Sequence, residues 1–167
     1  MAQPTAIEDA KAELRVQARA RRDALPASMR AAAARAIAAR PFPVALTPRA
    51  IVSGFMPLGS EINPIPLMRK LAGAGAQLAL PVVGGRGKPL SMRVFDFGQR
   101  LVPGVWGIRE PAPAAAEVFP DILLVPLLAF DRSGQRIGYG AGYYDMTIAK
   151  FRAVKPVATV GSAFAAQ

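Results

Sequence analysis

The chain has 167 residues, with neither Cys nor His. That excludes disulfides, thiolate or imidazole metal sites, and every nucleophilic triad built on those side chains. Its 21 Lys+Arg against 11 Asp+Glu give a formal charge of +10, and 52% hydrophobic content places it among folded chains of one-domain length. Any chemistry must run on carboxylates, cations, hydroxyls, backbone N–H groups or a bound metal.

The longest uninterrupted apolar stretch, residues 122–130, contains Pro126 and is far too short to span a membrane. Met1-Ala2-Gln3-Pro4 lacks the basic start and apolar run of a secretory signal. The acidic Glu8, Asp9 and Glu13 argue against a transit peptide, although the first helix is Arg-rich. A soluble cytoplasmic protein is expected. Half of the excess positive charge lies in residues 1–49, so the charge is spread along the chain and not held in a tail.

Residues 5–25 and 28–40 are alanine-rich and read as two helices parted by Pro26, with Ser28 as the N-cap of the second. In the first, Lys11, Arg15, Arg19 and Arg22 form one cationic stripe, and Ile7, Ala10, Leu14 and Ala18 a neighbouring apolar stripe expected to face the core. A cationic stripe is either a solvated face or a surface for phosphate or nucleic acid. Residues 50–56 read as a strand, 64–74 as a helix with Pro in its first turn, 77–83 as a strand, and 91–97 (SMRVFDF) as a half-exposed strand. The Pro- and Gly-rich segment 99–121 reads as a long ordered loop. A strand over 122–125, a turn at 131–134, a helix over 142–151 and a strand over 157–163 complete the chain. Strands apolar on both faces alternating with helices predict an α/β fold with a mostly parallel sheet covered on both sides. Ligands in such sheets sit beyond the carboxyl ends of the strands, here the loops 57–63, 84–88 and 126–145.

Gly138, Gly140 and Gly142 recur at every second position just before a predicted helix. Glycines let successive N–H groups converge on an anion, the helix N-terminus adds positive potential, and Arg136 can add a charge-assisted phosphate contact. The spacing matches neither a Walker A motif nor the dinucleotide fingerprint, and a tight packing turn would use the same residues. Asp145, one turn into the helix, suits a magnesium ligand or a first-turn acid complementing the helix dipole. Glu61, the only acid between Asp23 and Asp96, could accept N–H donors of a bound heterocycle or cap the helix that follows.

The segment from Leu124-Val125-Pro126 through Gly134-Gln135-Arg136-Ile137-Gly138-Tyr139-Gly140-Ala141-Gly142-Tyr143-Tyr144-Asp145 resembles the signature of the 5-formyltetrahydrofolate cyclo-ligases. Lys11-Ala12-Glu13-Leu14-Arg15 resembles their N-terminal motif, and Phe55-Met56-Pro57-Leu58-Gly59-Ser60-Glu61-Ile62 their folate loop. Leu80-Pro81-Val82-Val83, Gly107-Ile108-Arg109-Glu110-Pro111 and Val160-Gly161-Ser162-Ala163-Phe164 fall in family order, so the likeness covers nearly the whole chain. It implies a Rossmann-like three-layer α/β/α fold of the NagB/RpiA/CoA-transferase-like kind. One domain over 1–167 is expected, stopping short of the family's C-terminal segment and its second metal-side Asp.

The resemblance further implies that Lys11, Arg15, Arg136, Ile137, Gly138, Tyr139, Gly140, Ala141, Gly142, Tyr143 and Tyr144 bind ATP. Met56, Glu61 and the stretch from Tyr139 to Tyr143 would border the folate, Arg136 and Tyr143 would be catalytic, and Asp145 would bind Mg2+. The folate loop departs from the family pattern after Ile62, where Asn63 and Pro64 replace an acid and a Thr. The implied reaction closes 5-formyltetrahydrofolate to 5,10-methenyltetrahydrofolate at the expense of ATP, through phosphorylation of the formyl oxygen. It calls for small-molecule substrates, no nucleic acid, no membrane, and a monomer. Two other readings stand beside it: a homologue that binds nucleotide or folate without turnover, and a basic nucleic-acid-binding module.

Overall fold

The computed structural model describes residues 6–167. Thr5, at the start of the predicted first helix, and Met1-Ala2-Gln3-Pro4 lie outside them. Helix α1 spans Ala6–Asp23 and α2 spans Ala27–Ala39. Ser28 does not cap α2: Pro26 takes the N-cap position with no side-chain bond, because its fixed φ (−56°) already sets the chain at the entrance to the helix.

Strand β1 (Ile51–Ser53) leads through α3 (Ile65–Gly73) to β2 (Gln77–Val82), a parallel βαβ unit. Strand β3 (Ser91–Val94) then runs antiparallel to β2. It is shorter than the predicted 91–97, because Phe95 turns into the core and Phe97 packs edge-to-face against it at 5.2 Å. The expected loop 99–121 is largely built structure. Strands β4 (Leu101–Pro103) and β5 (Arg109–Pro111) pair as an antiparallel hairpin around a 3-10 turn at Val105–Gly107, and β6 (Glu117–Val118) pairs with β3.

Strand β7 (Ile122–Pro126), apolar and buried almost throughout, lies parallel to β1. A small hairpin, β8 (Ala129–Phe130) with β9 (Arg136–Ile137), precedes α4 (Tyr143–Arg152), and β10 (Ala158–Ser162) closes the chain parallel to β7. The sheet order β10-β7-β1-β2-β3-β6 is therefore mostly parallel, as predicted. Alternation along β7 sorts its side chains to two faces. Ile122 and Leu124 pack with α2 and α3, and Leu123 and Val125 with Phe151 of α4, so helices cover both faces.

Asp121 locks the entry to β7. Its Oδ2 accepts the Ile51 N–H and its Oδ1 the Lys155 ammonium, each at 2.7 Å. Burial pushes its carboxyl up, but those two bonds and the Lys155 charge outweigh burial and hold it below the usual range.

Helix α1 departs from the prediction. Ile7 and Ala10 are exposed, and only Leu14 and Ala18 of the apolar stripe pack, against Leu128, Ala129 and Ile137 of the β8–β9 hairpin. The most buried member of the cationic stripe is Arg22, at 3% exposure. The helix thus turns its Arg15–Ala18–Arg22 side inward. Among the described residues, no helix is long and apolar enough to cross a membrane.

Candidate active site

Chain connections run outward in opposite directions from the adjacent strands β1 and β7, which makes a crevice beyond their carboxyl ends. A cavity of about 560 Å³ opens there, a size suited to a small-molecule ligand. Phe55, Met56, Leu58 and Glu61 enter it from the segment after β1, and Pro126 from the end of β7. Arg136 through Asp145 form another wall, and Lys11 and Arg15 reach in from α1. Two of the three predicted loops therefore meet at one site. The third does not: Val83 and Leu90 line the cavity, and residues 84–88 between them stay outside.

The glycine stretch is an open bend. Gly140 (φ +97°) and Gly142 (φ +71°) lie in the left-handed region that side-chain-bearing residues avoid. A Cβ on Gly142 would meet nothing within 4 Å, and one on Gly140 would come to 3.4 Å from the Arg15 guanidinium carbon. Close packing therefore does not explain the glycines at these two positions; backbone conformation does. Gly142 also stands at the N-cap of α4, so the free N–H groups of that helix start at the cavity wall. Arg15 Nε donates to the Gly138 carbonyl at 2.9 Å, which fixes a guanidinium beside the bend.

Arg136 and Asp145 are each other's partners, with Nη2 to Oδ1 at 2.6 Å. The Asp145 side chain is 78% exposed and that of Arg136 only 20%. Asp145 is in the first turn of α4, as the dipole reading expects, and the cation beside it is a second reason for a carboxylate there.

Glu61 does not cap α3, where Asn63 Oδ1 instead accepts the Ile65 N–H at 3.0 Å. Its Oε2 accepts the Leu58 N–H at 2.7 Å and its Oε1 accepts the Tyr139 hydroxyl. The same hydroxyl accepts from Arg22 Nη1 at 2.6 Å, while Arg22 Nε donates to Ser60 Oγ at 2.9 Å and Ser60 in turn to Asp23. One buried guanidinium thus ties the Glu61 loop and the glycine bend to α1. Burial and the bond to Glu61 push the Tyr139 phenol up to about 12, against a smaller opposing pull from Arg22. Burial, with the Glu61 charge, also raises Tyr144. Both phenols stay neutral near pH 7, and that of Tyr139 acts as a hydrogen-bonding group.

Sequence reasoning missed the wall supplied by the β4–β5 hairpin, where Trp106, Ile108 and Glu110 line the cavity. Trp106 sits at a positive φ of 56°, is well exposed, and meets Tyr143 edge-to-face at 5.9 Å. An exposed aromatic ring held in a strained backbone conformation at a cavity mouth is a signal that only coordinates can give.

Residues 7–167 match the profile of the 5-formyltetrahydrofolate cyclo-ligase family. The 5-formyltetrahydrofolate cyclo-ligase of Mycolicibacterium smegmatis is 41% identical over 104 residues, covering 58% of this chain and 54% of that protein. The Escherichia coli enzyme of the same name is 34% identical over 110 residues, covering 62% and 60%. The matches thus span little more than half the length of these relatives. Among solved structures, the 5,10-methenyltetrahydrofolate synthetase of Aquifex aeolicus superposes with a TM-score of 0.75 at 26% identity, covering 94% of this chain and 79% of that one. A synthetase of the same name from Mycoplasma pneumoniae shares the fold, with a TM-score of 0.60 at 17% identity over 94% and 91%.

Proposed function

The chain belongs to the 5-formyltetrahydrofolate cyclo-ligase family, and from that membership we propose that it closes 5-formyltetrahydrofolate to 5,10-methenyltetrahydrofolate with ATP. The observation that carries this reading is the meeting, in one cavity, of an open glycine bend flanked by Arg15 and Arg136 with the Glu61 loop and its apolar neighbours Phe55 and Met56. The bend presents N–H groups and cations to a triphosphate, and the other wall presents apolar surface and a carboxylate to a flat heterocycle.

The reaction needs little from the protein beyond placement. The formyl oxygen attacks the γ-phosphorus and ADP leaves. N10 then attacks the activated carbon, the former formyl oxygen departs with inorganic phosphate, and N10 gives up its proton. Both nucleophiles belong to the substrate, so the chemistry calls for no His or Cys nucleophile. The work left is to align two anions and neutralise the charge that shifts from γ-phosphate to ADP.

In this reading Lys11, Arg15 and the stretch from Arg136 to Tyr144 hold ATP. Arg136 leaves Asp145 and takes up the phosphate whose oxygens gain charge. Tyr143, braced by Trp106, borders the reacting ends, while Met56, Glu61 and Tyr139 through Tyr143 border the folate. Asp145 fits a magnesium ion that arrives with phosphates, because such an ion is commonly held by one or two carboxylates plus substrate oxygens. Among the described residues no group of three or more Asp or Glu could hold it alone. When bound, the ion supplies neutralising charge to the phosphates.

The test is direct. The purified chain, given MgATP and 5-formyltetrahydrofolate, should generate methenyl absorbance with one ADP per turnover, and none with a non-hydrolysable ATP analogue. Tight binding of both ligands with no absorbance change would support the non-turnover homologue in place of the enzyme.

A further inference from the structure

Glu110 is 8% exposed and lines the cavity from β5, facing the end of β2. Its Oε1 accepts the Val83 N–H at 3.1 Å. Among the described residues no Lys or Arg forms an ion pair with it, and its Oε2 accepts no hydrogen bond. The position is built for this carboxylate: a Cβ on Gly104, across the hairpin, would lie 2.2 Å from Glu110 Cδ and 2.5 Å from Oε1. Gly104 has an ordinary negative φ of −108°, so space and not backbone conformation requires glycine there.

A carboxylate buried with one neutral donor is expensive, and the cost is recovered only if something else supplies donors. The cavity wall around it is apolar, with Pro81, Val83, Leu90 and Ile108. The ligand end that fits is flat, apolar on its faces, and carries adjacent N–H donors on one edge, which a carboxylate accepts side by side. Glu61 is differently placed, since both of its oxygens already accept protein donors.

Resting on the folate reading above, we propose that Glu110 is a substrate-binding residue that accepts the amino group and neighbouring ring N–H of the 2-amino-4-oxopyrimidine end of the folate. Glu61 then orders its loop and the glycine bend, and Glu110 reads the heterocycle.

The test compares 5-formyltetrahydrofolate with its 2-desamino analogue, titrated calorimetrically into the full chain, with a non-hydrolysable ATP analogue as a separate titration. Wild type should prefer the amino compound by about 10- to 100-fold, the range for a hydrogen bond to a charged group. Glu110→Gln keeps an acceptor for the Val83 N–H but turns a donor toward the ligand's donors. It should lower that preference to within about 3-fold while leaving nucleotide affinity unchanged. A structural role for Glu110 would weaken both folates equally and leave the preference intact, and that result overturns the proposal while the functional reading stands. If Glu110→Gln also loses nucleotide binding, Gly104→Ala, which displaces the carboxylate, carries the comparison: loss of preference supports the proposal and retention overturns it. Wild type that binds neither folate overturns the functional reading and this proposal together.

Discussion

Replacing Arg22 by Met isolates the guanidinium that joins α1 to the Glu61 loop and the glycine bend. Arg22 is 3% exposed and makes two bonds, to Ser60 Oγ at 2.9 Å and to the Tyr139 hydroxyl at 2.6 Å. Hydrogen bonds from a charged donor are worth about 1.5–3 kcal/mol each. Both hydroxyls keep a carboxylate acceptor, Asp23 for Ser60 and Glu61 for Tyr139, so neither is orphaned. Met also fills the space of the Arg stem with apolar surface. The expected net loss is about 2–4 kcal/mol, which at 2–4 °C per kcal/mol is roughly 4–16 °C in Tm for a chain of this size. Thermal melts followed by circular dichroism read this directly. Tyr139→Phe should cost about 1–2 kcal/mol alone, and because it removes the same bond, the double variant should fall short of additivity by about 1 kcal/mol. A loss below about 1 kcal/mol for Arg22→Met, or strict additivity with Tyr139→Phe, refutes the tether.

Arg136→Ala and Asp145→Ala should each lower turnover by roughly 10²-fold or more, the scale for one electrostatic partner of a transferring phosphoryl group, and Asp145→Ala should change Tm little because its side chain is 78% exposed. Near-normal rates in both variants would defeat the assignment. ATP affinity should depend on added Mg2+ in wild type and lose most of that dependence in Asp145→Ala; equal dependence in the two removes Asp145 from the metal site. Gly54→Ala would place a Cβ 2.3 Å from the sulfur of fully buried Met68, an overpacking cost of about 1–3 kcal/mol, and an unchanged melt would mean that α3 yields freely. Between pH 10 and 12 the unfolded chain releases tyrosine protons that Tyr139 retains in the folded state, so stability is fully present below about pH 10 and falls as pH rises through about 12. A difference-absorbance titration of wild type against Tyr139→Phe checks this, and a native Tyr139 that ionises near 10 contradicts it.

The parts of the fold that were legible are those whose local pattern and tertiary fate agree. Residues 122–125 are apolar without interruption because β7 is covered on both faces, and the run 77–83 marks β2 for the same reason. Residues 138–142 announced a special backbone because glycines at that spacing serve a conformation that other residues avoid, and positive φ at Gly140 and Gly142 agrees. The β4–β5 hairpin was illegible. Its strands are three residues long, Pro103 and Pro111 end them, and its contacts with Val83 and Tyr143 are to partners distant in sequence. Glu110 was hidden with it, since a carboxylate beside a proline carries no local sign of burial. In α1 the helix was legible but its orientation was not. Periodicity finds an apolar stripe, yet Arg22 buries more completely than Ile7 because its donors meet Tyr139 and Ser60 across the domain.

That inversion says how the excess positive charge is used. Arg22 is committed to hydroxyls, Arg15 to the Gly138 carbonyl, and Arg136 to Asp145. Three cations are thus held at a small site without any one of them buried unpartnered, which the cost of desolvated charge requires. Only the Arg136 partner is an exposed carboxylate, and only that pair is weak enough to exchange cheaply. In the proposed reaction a triphosphate displaces Asp145 from Arg136, and the freed carboxylate needs a cation in turn. A nucleotide that brings its own divalent ion satisfies both halves of the exchange, so in this proposal the Arg136–Asp145 pair accounts for why ATP should enter together with its metal.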